Sequence, residues 1–153
     1  MPTSQDALLL SVLAYAGLRP GEALALTWGD VRERTLCIDK ALSLGEERET
    51  KTRRDRRVRL LEPLADDLRA ARVGLSRIPR SSERIFQRPS DGGDWTDACY
   101  RNWRARTFKD AVRRAGLPNF TRPYDLRHAF CSLLLAEGAS SSRLRHRQDT
   151  LPQ

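Results

Sequence analysis

The chain has 153 residues and a formal net charge of +8, from 28 Lys and Arg against 20 Asp and Glu. That length fits one domain with a sizeable core, and 39% hydrophobic with 31% charged residues excludes a wholly disordered polymer. The longest apolar stretch, Ala7 to Leu18, is too short for a membrane span, and Cys37, Cys99 and Cys131 are too few and scattered for a disulfide framework or a zinc ribbon.

The first predicted helix is capped by Thr3 or Ser4, with Asp6 placed for a capping box from Thr3. Leu8, Leu9, Leu10, Val12, Leu13 and Tyr15 cover most of its circumference and predict deep burial. Gly17 suits its C-terminal stop, and Pro20 the first turn of a short helix through Leu26. From Val31 to Leu60 the pattern becomes strand-like. Thr35 to Asp39 and Arg57 to Leu60 alternate apolar and polar positions around a charged turn, Gly45 to Asp55, which predicts two or three antiparallel strands. Glu62-Pro63 opens a helix to about Val73, with Leu64, Leu68 and Ala71 inward. Arg84 to Gln87 reads as a short strand and Pro89 to Asp94 as a turn cluster. Thr96 caps a long helix through Ala115, ended by Gly116. Pro123 begins the last helix, in which Leu126, Phe130, Leu133 and Leu134 recur at helical spacing before Gly138. The three tryptophans are expected in the core and the cysteines as small buried residues. The fold class is α+β, mainly α-helical, with a small antiparallel β-sheet.

A sequence pI near 10.2 argues for a polyanionic partner, most often nucleic acid. Lys40, Lys51 and Lys109 are the only lysines, so arginine carries nearly all the positive charge. Arg53, Arg54, Arg56, Arg57 and Arg59 crowd one segment, read either as a solvated hairpin face or as contacts to a DNA backbone, the second being favoured.

Three sites stand out: Gly17-Leu18-Arg19-Pro20-Gly21-Glu22 at a helix–helix junction, Thr50-Lys51-Thr52 before the arginine-rich strand, and Pro123-Tyr124-Asp125-Leu126-Arg127-His128 at a helix start. Each motif alone is weak. In this order, they resemble the catalytic domain of tyrosine recombinases, the phage-integrase family, over Leu8 to Ala139. The resemblance implies a helical catalytic core with a small sheet over residues 1–138, and places 139–153 outside it as an atypical, disordered tail. It implies that Arg19 and Arg127 grip the scissile phosphate, with planar bidentate donors that lysine does not offer. It makes Glu22 the acidic residue that orients the basic groups. Lys51 becomes the general acid for the leaving 5′-oxygen, and Tyr124 a phosphate donor where most members carry histidine. No metal or cofactor is implied. The partner is double-stranded DNA, with full-length recombinase protomers on DNA as a second, no membrane, and a cytoplasmic, nucleoid-associated location.

The sequence also departs from the family. It holds no Leu-Gly-His box and no tyrosine after Tyr124, the others being Tyr15 and Tyr100. A phosphate clamp without a nucleophile close to phosphorus binds DNA without forming a phosphotyrosine link. The expectation is therefore a catalytic-domain fragment, from a truncated or frameshifted gene, that is monomeric off DNA and does not cleave alone. The competing readings are an enzyme that borrows a tyrosine from another protomer, and a basic DNA- or RNA-binding module without recombinase chemistry.

Overall fold

The computed structural model describes residues 3–44 and 55–136. Helix α1 spans Ser4–Ala16, α2 Pro20–Leu24, α3 Glu62–Val73, α4 Asp97–Trp103, α5 Lys109–Arg114 and α6 Pro123–Ala136. Strands β1, Thr35–Ile38, and β2, Arg56–Arg59, form one antiparallel ladder that pairs Thr35 with Arg59, Leu36 with Val58, Cys37 with Arg57 and Ile38 with Arg56. Among the described residues, no helix is long and apolar enough to cross a membrane.

Helix α1 forms where the sequence places its cap. The Thr3 hydroxyl accepts from the Asp6 amide at 3.2 Å, and the Asp6 carboxylate accepts from the Thr3 amide at 2.7 Å. Leu8, Leu9, Val12, Leu13 and Ala16 are buried, and each of the larger ones contributes roughly 1.5–3 kcal/mol. The helix packs against α3, through which Leu64 and Leu68 join the core, and against α6. It ends at Gly17, which adopts φ 63°.

Residues 97–114 form one continuous helical run, capped by Thr96, whose hydroxyl accepts from the Cys99 amide. Within it, Arg104–Phe108 is a π segment. Residues five apart diverge on a regular α-helix, whereas this wider turn keeps Trp103 and Phe108 in ring contact, with centroids 5.7 Å apart. Trp95 and Tyr100 complete the cluster around Trp103, so the tryptophans are core residues, as their composition suggests.

Several expectations need correction. The described sheet has two strands, within the expected two or three, but Arg84–Gln87 is not a strand: Arg84 makes one isolated bridge, to Thr27, and Val31 another, to Leu36. Helix α2 stops at Leu24 rather than Leu26, and the Leu26 carbonyl accepts from the Ile85 amide. The cysteines are half-buried rather than buried. In α6, Phe130 is buried while Leu126 and Leu134 are half-buried along its i, i+4 line; Leu133, off that line, is 66% exposed.

Candidate functional site

Arg19 is the N-cap of α2, in extended conformation, so the chain leaves α1 and turns sharply at this residue. Pro20 sets the first helical turn. Glu22, at the third helical position, folds back and accepts the Arg19 amide on Oε1 at 3.0 Å. Gly21 lies directly beneath the Leu42 carbonyl, where a Cβ would collide, and its own carbonyl accepts the Leu42 amide at 2.9 Å. The stretch that leaves β1 is thus pinned to α2. From the other side, the 83–85 segment is tied down by bonds from the Trp28 amide to the Glu83 carbonyl and from the Ile85 amide to the Leu26 carbonyl.

Glu22 is only 7% exposed. Both its oxygens face the guanidinium of Arg56: Nη2 meets Oε1 at 2.8 Å and Nη1 meets Oε2. The Arg127 guanidinium, from α6, stands behind, with Nη1 3.6 Å from Oε1. That is an ion-pair distance and too long for a hydrogen bond. Burial pushes the Glu22 carboxyl up, but the Arg56 hydrogen bonds and charge, the Arg19 amide and the Arg127 charge together hold it below the usual carboxylate range. Arg127 is shifted down from its ordinary value, first by burial and then by the charges of Arg19 and Arg56. Its Nη1 is buried without a hydrogen-bond partner. The guanidiniums of Arg56 and Arg127 thus share one carboxylate, which leaves local positive charge for an anion to neutralise.

The structure brings together Arg19, Glu22, Arg56 and Arg127. Tyr124 sits one turn before Arg127 on α6, half-buried, its ring 6.4 Å from that of His128. Lys51, Arg53 and Arg54 lie outside the described residues. The arginine run divides by strand parity: Arg57 and Arg59 are exposed, whereas Arg56 shares the inward face with buried Val58 and has a side chain only 11% exposed. Its inward orientation is readable in the alternation Arg56, Val58, Leu60, while its place beside Glu22 depends on how α2 and β2 meet. A second buried acid, Asp30, was not foreseen. It closes a 3-10 turn at Trp28–Asp30 by accepting from the Thr27 amide and hydroxyl, at 2.8 and 3.0 Å, and pairs with Lys40. No group of side chains able to hold a metal ion occurs among the described residues.

Two arginines from separate helix starts therefore meet at one buried glutamate beside a two-stranded ladder, on a helical domain. Residues 2–148 match the Phage integrase family, and the chain belongs to that family. Among solved structures, it superposes on XerA recombinase with a TM-score of 0.70 at 20% identity, over 97% of this chain and 49% of that one. The Tn1549 transposon integrase in complex with circular intermediate DNA gives 0.70 at 21% identity, over 96% of this chain and 51% of that one. The integrase from mycobacterium phage Brujita gives 0.68 at 18% identity, over 96% and 43%. The chain thus spans about half the length of these structures or less, and shares their catalytic-domain fold. Comparison with curated proteins gives no match.

Proposed function

We propose that these residues form the phosphate-gripping part of a tyrosine-recombinase catalytic domain that serves DNA integration or recombination. The observation that carries this is the Arg127 guanidinium, held among like charges with a buried Nη1 that makes no hydrogen bond. A phosphate at the part of this side chain that remains exposed, 19% of it, supplies the missing negative charge. Arg19 grips the same phosphate from the start of α2, and Tyr124 donates its hydroxyl from the turn before Arg127. Lys51 protonates the leaving oxygen. Exposed Arg57 and Arg59, with Arg53 and Arg54, contact neighbouring phosphates. The Tn1549 integrase, a structural neighbour, is described in complex with DNA, which supports double-stranded DNA as the partner. The location that goes with it is cytoplasmic and nucleoid-associated, and full-length recombinase protomers on the same DNA are further partners.

None of the three tyrosines suits the nucleophile role. Tyr100 is fully buried in the aromatic cluster, Tyr15 lies on α1, and Tyr124 takes the phosphate-donor position. The 153-residue polypeptide therefore binds DNA and does not cleave it alone. A nicked suicide duplex tests this. The expected result is a salt-sensitive complex that denaturing electrophoresis dissociates. A covalent protein–DNA adduct formed by this polypeptide alone contradicts the second statement, and absence of any duplex binding contradicts the first.

A further inference from the structure

We propose that Arg56 is a positioning residue: by filling both oxygens of Glu22, it keeps Arg127 off that carboxylate and available to phosphate. The inference rests on the phosphate-binding reading above and deepens it.

The geometry distinguishes Arg56 from the other arginines of its segment. It stands opposite Ile38 in the ladder, on the face that also carries buried Val58, so it points into the site rather than out to solvent. Its planar guanidinium lies along the carboxylate with one nitrogen on each oxygen, a match that a lysine ammonium cannot make. Arg127 is the competitor. Its Nη1 is 3.6 Å from Glu22 Oε1, less than one ångström from hydrogen-bond distance, and is buried with no other acceptor. If Arg56 is removed, Glu22 is left as a buried anion with an arginine beside it, and the pair closes. Arg127 then has to break a charge-assisted bond before it can take a phosphate. With Arg56 present, the carboxylate is already saturated, and Arg127 is held in place without being consumed.

This makes a prediction that direct DNA contact by Arg56 does not: loss of Arg56 is repaired by neutralising Glu22. The experiment measures the affinity of the full chain for a short mixed-sequence duplex as a function of salt, with circular dichroism as the check on folding. The variants are R56Q, E22Q, the double variant E22Q/R56Q, and R127Q. R56Q is expected to weaken binding roughly tenfold and to reduce the salt slope by about one, because Arg127 is captured. The double variant is expected to regain the wild-type slope and most of the affinity. If R56Q fails to fold, the comparison of E22Q with E22Q/R56Q decides, since the double variant removes the buried Glu22–Arg56 pair as a whole instead of leaving the Glu22 anion without Arg56. Equal slopes support the proposal, and a further loss of about one unit assigns Arg56 to a phosphate of its own and overturns it. A folded R56Q that binds like wild type also overturns it. R127Q separates the two levels of the account. If R127Q weakens binding but the double variant shows no recovery, the role of Arg56 alone is wrong. If R127Q changes neither affinity nor slope, the phosphate site itself is wrong.

Discussion

The ring of Phe130 occupies the space into which a Cβ on Gly17 would project. Gly17 lies two residues before Arg19, and Phe130 lies three residues after Arg127, so this contact lies between the two arginine-bearing segments and limits how closely they approach. Gly17 also adopts φ 63°, a conformation that L side chains resist. The close approach of α6 to α1 is thus built on the absence of a side chain.

Gly17→Ala is therefore expected to cost about 2 kcal/mol or more, from the left-handed backbone and from displacement of Phe130. Gly116 supplies the control: it has φ 69° but open space around it, so Gly116→Ala should cost only ~1 kcal/mol. Urea unfolding of the two variants measures the difference. Gly17→Ala should also weaken DNA binding, whereas Gly116→Ala should not.

The aromatic cluster makes a separate prediction about stability. Trp103 contacts Trp95, Tyr100 and Phe108, and its indole N–H donates to the Asp6 carboxylate at 3.1 Å, which ties α4 to the cap of α1. Trp103→Ala should cost roughly 3–5 kcal/mol. Trp103→Phe, which keeps a ring and loses the bond to Asp6, should cost less. Thermal unfolding followed by circular dichroism ranks the pair.

The Glu22 carboxyl is held below its ordinary range in the folded state. Its contribution to stability is thus fully present above the unfolded value, about 4.3, and is lost as pH falls through the lower folded value. Stability measured by urea titration should decline on acidification below that range. Glu22→Gln should flatten this part of the profile and lower stability at neutral pH, since Arg56 then faces a neutral acceptor.

Arg57 and Arg59 lie on the outward face of β2. Replacing either by Gln should change stability by less than about 0.5 kcal/mol and reduce the salt slope of DNA binding by about one. Unlike the effect of removing Arg56, this loss should not be repaired by Glu22→Gln. The same salt titration reads both.

Most helices were legible in the sequence because their ends carry local chemistry. Thr3 with Asp6, Gly17, Pro20, Thr96 and Gly116 act through bonds and dihedral limits that span at most one turn. The π segment at 104–108 left no such mark, since it follows from the packing of Trp103 and Phe108 within a cluster assembled from several places in the chain. Within the site, Arg19, Glu22 and Arg127 were legible from the resemblance to known recombinases. In sequence Arg56 reads with its neighbours as a DNA contact, because a run of arginines looks uniform when only charge is counted. Strand parity separates it, and the pairing with Glu22 appears once α2 and β2 meet. Asp30 leaves no signal in the sequence, because its role depends on a 3-10 turn and on Lys40 reaching it from beyond β1.

The central claim is that the positive cluster around Glu22 grips a DNA phosphate through Arg127. The most direct measurement is the salt dependence of duplex affinity for wild type and Arg127→Gln, with circular dichroism confirming that both are folded. The account predicts weaker binding and a slope reduced by about one for the variant, whatever the sequence of the duplex. An Arg127→Gln protein that binds duplex DNA with unchanged affinity and unchanged slope would contradict it.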